Sequence, residues 1–160
     1  MLTVLETCLP SKMDSLLDLY SGVGLFSVYL SDRIQSGVAI ESASKAVENA
    51  RMNAAENGIS QIDFKQGRVE NMLGSLDQTF EAAILDPPRS GCAANVLQQL
   101  NQKVESQIIY ISCDPTTLAR DLKELCRLGW QISCVQPFDM FPQTYHIETM
   151  VLLHRLEELH

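Results

Sequence analysis

The chain has 160 residues, about one domain's length and enough to bury a sizeable core, with 46% hydrophobic and 20% charged residues, the balance of a soluble globular protein. Its 20 acidic against 12 basic side chains give a formal net charge of −8, which argues against a chain that grips phosphate backbones by itself, because that work needs clustered Lys and Arg. No apolar run approaches the ~20 residues of a membrane span and no basic stretch with an apolar core opens the chain, so no membrane contact and a cytoplasmic location are expected.

Leu16 to Tyr20 is a short apolar run that breaks at Ser21-Gly22-Val23-Gly24, and helical spacing resumes over Leu25 to Ile34. That order predicts strand, glycine turn, helix. Val38 to Glu41 is a second strand, and Ser44 to Asn57 a helix that carries Ala and Val at helical spacing and stops at Asn57-Gly58. Ile62 to Gln66 is a third strand. Ala82 to Leu85 is a fourth, closed by Asp86-Pro87-Pro88, with a helix over Asn95 to Val104 beyond it. Gln107 to Ser112 is a strongly β-branched fifth strand, and Thr116 to Leu128 an amphipathic helix ended by Gly129. Trp130 to Gln136 and Ile147 to Leu153 follow with only a loop between them. Five βα units and a hairpin-like pair predict an α/β fold with a mostly parallel seven-stranded sheet and one antiparallel strand. Residues 1–13 read as an N-terminal lead-in, 14–153 as the domain, and 154–160 as a frayed or added tail.

In an open α/β sheet, ligands bind beyond the carboxyl ends of the parallel strands. Gly22, Glu41, Asp86 and Cys113 lie at or just past such ends, and the last strand runs the other way, so Glu148 at its beginning reaches the same edge. The turn Gly22-Val-Gly24 lets backbone pass close to a ligand, but a dinucleotide fingerprint would need a third glycine where Ser27 stands. A ligand without pyrophosphate, such as S-adenosylmethionine, fits better, with Glu41 placed to accept from ribose hydroxyls. The plainer reading of the same residues is a tight βα turn with a strand-end glutamate.

Cys113 stands immediately before a helix whose cap is Asp114 and whose first residue is Pro115. The helix dipole there favours thiolate while Asp114 opposes it, so Cys113 is either a candidate nucleophile or a buried strand-end thiol. Asp86-Pro-Pro-Arg89 gives a strand-end carboxylate on a stiff loop suited to a planar base, or an ordinary Asp-Pro turn. Glu148 is an edge carboxylate or a general base, and His146 by itself reads as structural. Arg89 and Arg120 are local cations able to touch a nucleotide. The five cysteines contain no C-x-x-C pair, so neither a zinc site nor a disulfide framework is indicated.

Four segments carry a specific likeness: Leu17-Asp-Leu-Tyr-Ser-Gly-Val-Gly-Leu-Phe-Ser27, Asp86-Pro-Pro-Arg-Ser-Gly91, Ile111-Ser-Cys-Asp-Pro-Thr-Thr-Leu-Ala-Arg-Asp121 and Phe138-Asp-Met-Phe-Pro-Gln-Thr-Tyr-His-Ile-Glu-Thr149. In order and spacing they resemble the RNA 5-methyluridine methyltransferase family over most of residues 14–153. The resemblance implies a Rossmann-like S-adenosylmethionine-dependent methyltransferase acting on uridine in tRNA or ribosomal RNA. It implies Cys113 as nucleophile and Glu148 as proton-abstracting base. Asp86 would contact the target uracil at the edge of the cofactor site, where Tyr20, Gly22, Gly24 and Glu41 would hold the cofactor, with no metal.

Members of that family are usually much longer, with N-terminal RNA-binding portions that in some hold an iron–sulfur cluster. Here 15 residues precede the first expected strand. The chain therefore reads as a catalytic half, monomeric, whose RNA substrate is gripped by N-terminal domains outside it. Two other readings stay open: a methyltransferase of the same fold that works on an exocyclic amine without the cysteine, and a non-catalytic cofactor-binding module.

Overall fold

The computed structural model describes residues 1–139 and 147–156, so Tyr145, His146 and residues 157–160 lie outside the description. A short helix, α1 (Leu2–Cys8), precedes β1 (Met13–Leu19), α2 (Leu25–Tyr29), β2 (Ile34–Glu41), α3 (Ser44–Glu56) and β3 (Ile62–Gln66). After α4 (Val69–Met72) come β4 (Phe80–Leu85), α5 (Ala94–Lys103), β5 (Val104–Ser112), α6 (Pro115–Arg127), β6 (Trp130–Phe138) and β7 (Glu148–Arg155). The sheet order is β3-β2-β1-β4-β5-β7-β6. β1 to β5 pair in parallel and β7 runs antiparallel to both β5 and β6. The expected seven-stranded α/β sheet with one antiparallel strand is the observed one.

Helices cover both faces, so the central strands are buried on both sides and read as continuous apolar runs. Alternate residues split between two cores. Leu17, Leu19, Ala83, Leu85, Ile108 and Tyr110 meet Leu97 and Leu100 of α5 and Leu118 and Leu125 of α6 on one face. Leu16, Ala82, Ile84, Ile109 and Ile111 meet Phe26 of α2 and Val47 and Ala50 of α3 on the other. The chain winds outward from β1 to β3 and returns to β4, which places the topological switch between β1 and β4, where such folds bind ligands.

Three local departures from the sequence reading have tertiary causes. The helix expected over Leu25 to Ile34 stops at Tyr29, a 3-10 turn spans Ser31–Arg33, and Ile34 opens β2 opposite Met13 of β1. Sheet pairing and burial of Ile34 outweigh its helical spacing. The lead-in forms α1, whose Leu5 is fully buried with Leu9, Leu16 and Leu30, while Arg33 donates to the Glu6 carbonyl at 2.8 Å. At the other end β7 continues past Leu153 to Arg155, which lies 4.5 Å from the Trp130 ring centroid and donates to the Glu105 carbonyl at 3.0 Å.

Candidate active site

The turn after β1 is built around a buried carboxylate. Asp18 accepts from the Ser27 backbone N–H at 3.2 Å and from the Ser27 hydroxyl, tying the first turn of α2 to the end of β1. Its carboxyl is pushed up to about 7, chiefly by burial, against the lowering effect of the Ser27 bonds and with smaller contributions from Asp86 and Glu41. The backbone is left-handed at Tyr20, Gly22 and Gly24. At Tyr20 that conformation is strained for a residue with a Cβ.

The two glycines of the turn do different work. A Cβ on Gly22 would meet nothing within 4 Å, so this residue faces open space. A Cβ on Gly24 would stand 2.8 Å from a Phe64 ring carbon and 3.2 Å from the Ala50 Cβ, so Gly24 lets the turn close on β3 and α3. Glu41, at the end of β2, accepts from the Gly22 N–H at 3.1 Å with one oxygen. Its other oxygen takes the Ala43 N–H at 2.7 Å and the Ser42 hydroxyl at 3.1 Å.

Tyr20, Glu41 and Asp86 line one cleft of about 540 Å³ with Ser42, Arg68, Val69, Glu70 and Pro88. Arg68, Val69 and Glu70 were missed because α4 is too short to show periodicity. The signal available was the strand-end rule applied to β3, which puts the residues just after Gln66 on this edge.

Asp86, Cys113 and Glu148 come together at the ends of β4, β5 and β7, three neighbours in the sheet. Ser112 pairs with Thr149, so one further step of the antiparallel register sets Cys113 opposite Glu148. Leu85 pairs with Tyr110, so Asp86 follows alongside the last residues of β5, with its N–H donated to the Leu19 carbonyl at 3.3 Å. The Asp86 side chain is open to solvent at the cleft, yet the protein around it removes enough water to push its carboxyl up to about 6, and the Glu148 charge adds to this.

Cys113 is half-buried directly before α6. Asp114 caps that helix as expected, accepting the N–H groups of Thr116 at 3.0 Å and Thr117 at 2.8 Å, and Pro115 is its first residue. These bonds, Thr117 foremost, hold the Asp114 carboxyl below the usual range. The Cys92 thiol, by contrast, is pushed up to about 12, chiefly by burial.

A second buried carboxylate was not anticipated. Asp121, 1% exposed on α6, accepts the Cys92 N–H at 2.7 Å, the Tyr110 hydroxyl at 2.6 Å and the Arg120 Nε at 2.9 Å. It sits inside the Ser-Cys-Asp-Pro segment's own helix, but its partners are distant in sequence, so spacing alone could not single it out. Among the described residues no group of three His, Cys, Asp or Glu side chains is placed to hold a metal ion, and no helix is long and apolar enough to cross a membrane.

The family model described as tRNA (uracil-5-)-methyltransferase matches residues 1–156. Among curated relatives, an RNA methyltransferase of Thermosynechococcus vestitus is 41% identical over 152 residues, covering 94% of this chain and 34% of that protein. One from Synechocystis is 44% identical over 139 residues, covering 86% of this chain and 30% of that protein. The chain thus spans about a third of the length of the curated relatives it matches. Among solved structures, the Pyrococcus abyssi tRNA (uracil-54, C5)-methyltransferase in complex with S-adenosyl-L-homocysteine superposes with a TM-score of 0.81 at 31% identity, covering 95% of this chain and 36% of that one. An rRNA methylase from Streptococcus thermophilus, at 14% identity and a TM-score of 0.76 over 98% of this chain and 94% of that one, shares the fold.

Proposed function

This chain belongs to the tRNA (uracil-5-)-methyltransferase family, and on that premise we propose that it methylates carbon 5 of a uridine in structured RNA, with S-adenosylmethionine as donor and Cys113 as covalent catalyst. The observation that carries the reading is the meeting of Cys113, Glu148 and Asp86 on three adjacent strand ends beside the cleft of Tyr20 and Glu41. The cleft suits the donor. It offers carboxylate acceptors at Glu41, open space over Gly22 and no cluster of cations of the kind a pyrophosphate would need. Glu41 and Ser42 would take the ribose hydroxyls, and Pro88 an apolar face.

Bound S-adenosylmethionine supplies an electrophilic methyl group on a sulfonium. Carbon 5 of uracil is a poor nucleophile, so Cys113 acts first: its thiolate adds to carbon 6, and the displaced electron pair makes an enolate that is nucleophilic at carbon 5. Cys113 is presented directly before the first turn of α6. Asp86 accepts from the uracil edge and holds the ring over the thiolate. After transfer, carbon 5 carries both the methyl group and its original proton. Glu148 removes that proton, the double bond re-forms, and the carbon–sulfur bond breaks to return the thiolate.

The test uses RNA containing 5-fluorouridine and the intact protein. Fluorine cannot leave as a cation when Glu148 acts, so a protein–RNA adduct should survive denaturing electrophoresis, and Cys113→Ala should abolish it. An adduct that persists in Cys113→Ala would show another nucleophile. Glu148→Gln should still attach and methylate ordinary uridine, yet release it slowly.

A further inference from the structure

We infer that Arg120 and Asp121 are positioning residues for the reaction: from the first turns of α6 they clamp the loop of residues 87–92 and so fix Asp86 relative to Cys113. The inference rests on the proposed reaction, in which Asp86 and Cys113 act on one uracil.

The loop between Asp86 and α5 has no regular structure, and Pro87 and Pro88 supply no N–H by which it could be held. The Gly91 N–H donates to the Pro88 carbonyl at 2.8 Å within the loop, while the carbonyls of Arg89, Ser90 and Cys92 and the Cys92 N–H are taken by α6. The Thr117 hydroxyl donates to the Arg89 carbonyl at 3.0 Å, and Arg120 Nη2 donates to the carbonyls of Ser90 at 2.9 Å and Cys92 at 3.2 Å. Asp121 Oδ2 receives the Cys92 N–H from the loop and the Tyr110 hydroxyl from β5. Loop, strand and helix therefore meet on one carboxylate oxygen.

Contact is close. Gly91 is left-handed, and a Cβ there would lie 2.6 Å from both Arg120 Nη2 and Asp121 Oδ2, so only glycine lets the loop settle onto the clamp. Burying a carboxylate beside a guanidinium is an expensive way to fill space, since apolar residues of similar volume often do as well. What the charged pair adds is direction: three hydrogen bonds, two from Arg120 and one to Asp121, fix where the loop passes. Because α6 begins two residues after Cys113, the same helix turns that present the thiol also set the carboxylate's loop. Arg120, which the sequence offered as a nucleotide contact, uses its Nε and Nη2 within this clamp.

Arg120→Ala is the primary test, because its side chain is 57% exposed and its loss should not unfold the core; Thr117→Val and Asp121→Asn are the companions. In the intact protein, Arg120→Ala should stay folded, melting somewhat below the wild type because the buried Asp121 loses its guanidinium partner, and bind S-adenosylhomocysteine equally, while the single-turnover rate of adduct formation falls about 10- to 100-fold, the scale of an ångström-sized misplacement. Arg120→Lys, which restores one donor, should recover part of the rate. A carbon-13 titration of Asp86 should move below the wild-type value in Arg120→Ala, as a freed loop gives the carboxyl more water; a role in stability alone would not move it. Wild-type rates together with an unchanged Asp86 titration in the folded variants would overturn the clamp while leaving the reaction standing. A wild-type protein that forms no adduct would count against the reaction, and the Asp86 titration by itself would then decide the clamp.

Discussion

Glu148, the first residue of β7, stands near enough to Asp86, just beyond β4, for its negative charge to add to desolvation in raising the Asp86 carboxyl to about 6. The strand between them, β5, ends at Ser112 and hands the chain to Cys113. Two carboxylates thus flank the thiol, close enough to sense one another.

That relationship predicts a titration. Replacing Glu148 by Gln removes the like charge, so Asp86 should ionise at lower pH than in the wild type. Carbon-13 shifts of the Asp86 carboxyl in the folded chain would report it; an unchanged titration would mean that the Glu148 side chain faces away. In the intact protein, methyl transfer should weaken as pH falls through about 6, where Asp86 takes up a proton and can no longer accept as a carboxylate.

Glu41 should govern cofactor affinity. Its carboxylate is already oriented by the Gly22 and Ala43 N–H groups. If Glu41 takes the ribose hydroxyls as proposed, Glu41→Ala should weaken binding by about 1.5–3 kcal/mol, the worth of charged hydrogen bonds. Calorimetry with S-adenosylhomocysteine on this chain provides the measurement, and equal affinity would remove Glu41 from the site.

The glycines of the turn should separate in a stability assay. Gly24→Ala adds a Cβ 2.8 Å from Phe64 to a left-handed backbone, and overpacking with strain should cost about 2–4 kcal/mol in denaturant unfolding. Gly22→Ala meets no neighbouring atom and should cost only the backbone part, about 1–2 kcal/mol. Equal losses would show that Phe64 yields to the added methyl.

Asp18 should leave a pH signature on folding. Its folded-state carboxyl is raised from 3.8 to about 7, so ionising it costs more in the folded protein than in the unfolded chain. The sign follows from linkage: the penalty is absent below about pH 4, grows as pH rises towards 7, and is constant above that. Relative to the wild type, Asp18→Asn should therefore gain stability between pH 4 and 7. Melting curves that keep a fixed separation over that range would contradict an ionising Asp18.

On RNA, this chain alone should bind weakly. With a net charge of −8 and 12 basic residues over the whole surface, few phosphates can be neutralised. A filter-binding assay at about 150 mM salt should show no retention, alongside a cooperative thermal melt. Tight, salt-resistant binding would show that the grip on RNA resides here.

The order of strands and helices, the residues at strand ends and the Asp114 cap were legible in the sequence, because each depends on neighbours a few residues away. Glycine and proline punctuate the chain locally, and continuous apolar runs declare strands wherever both faces are covered. Local signals also misled at Ile34, whose helical spacing lost to its pairing with Met13, and were silent at α1 and α4. Only the tertiary structure set Cys113 opposite Glu148, gathered Arg68 and Glu70 into the cleft of Glu41, and gave Asp121 its partners Cys92 and Tyr110. Those relations join residues far apart in the chain. They are decided by which strands pair and in what register, a choice made by burying two cores at once, which no short window of sequence contains.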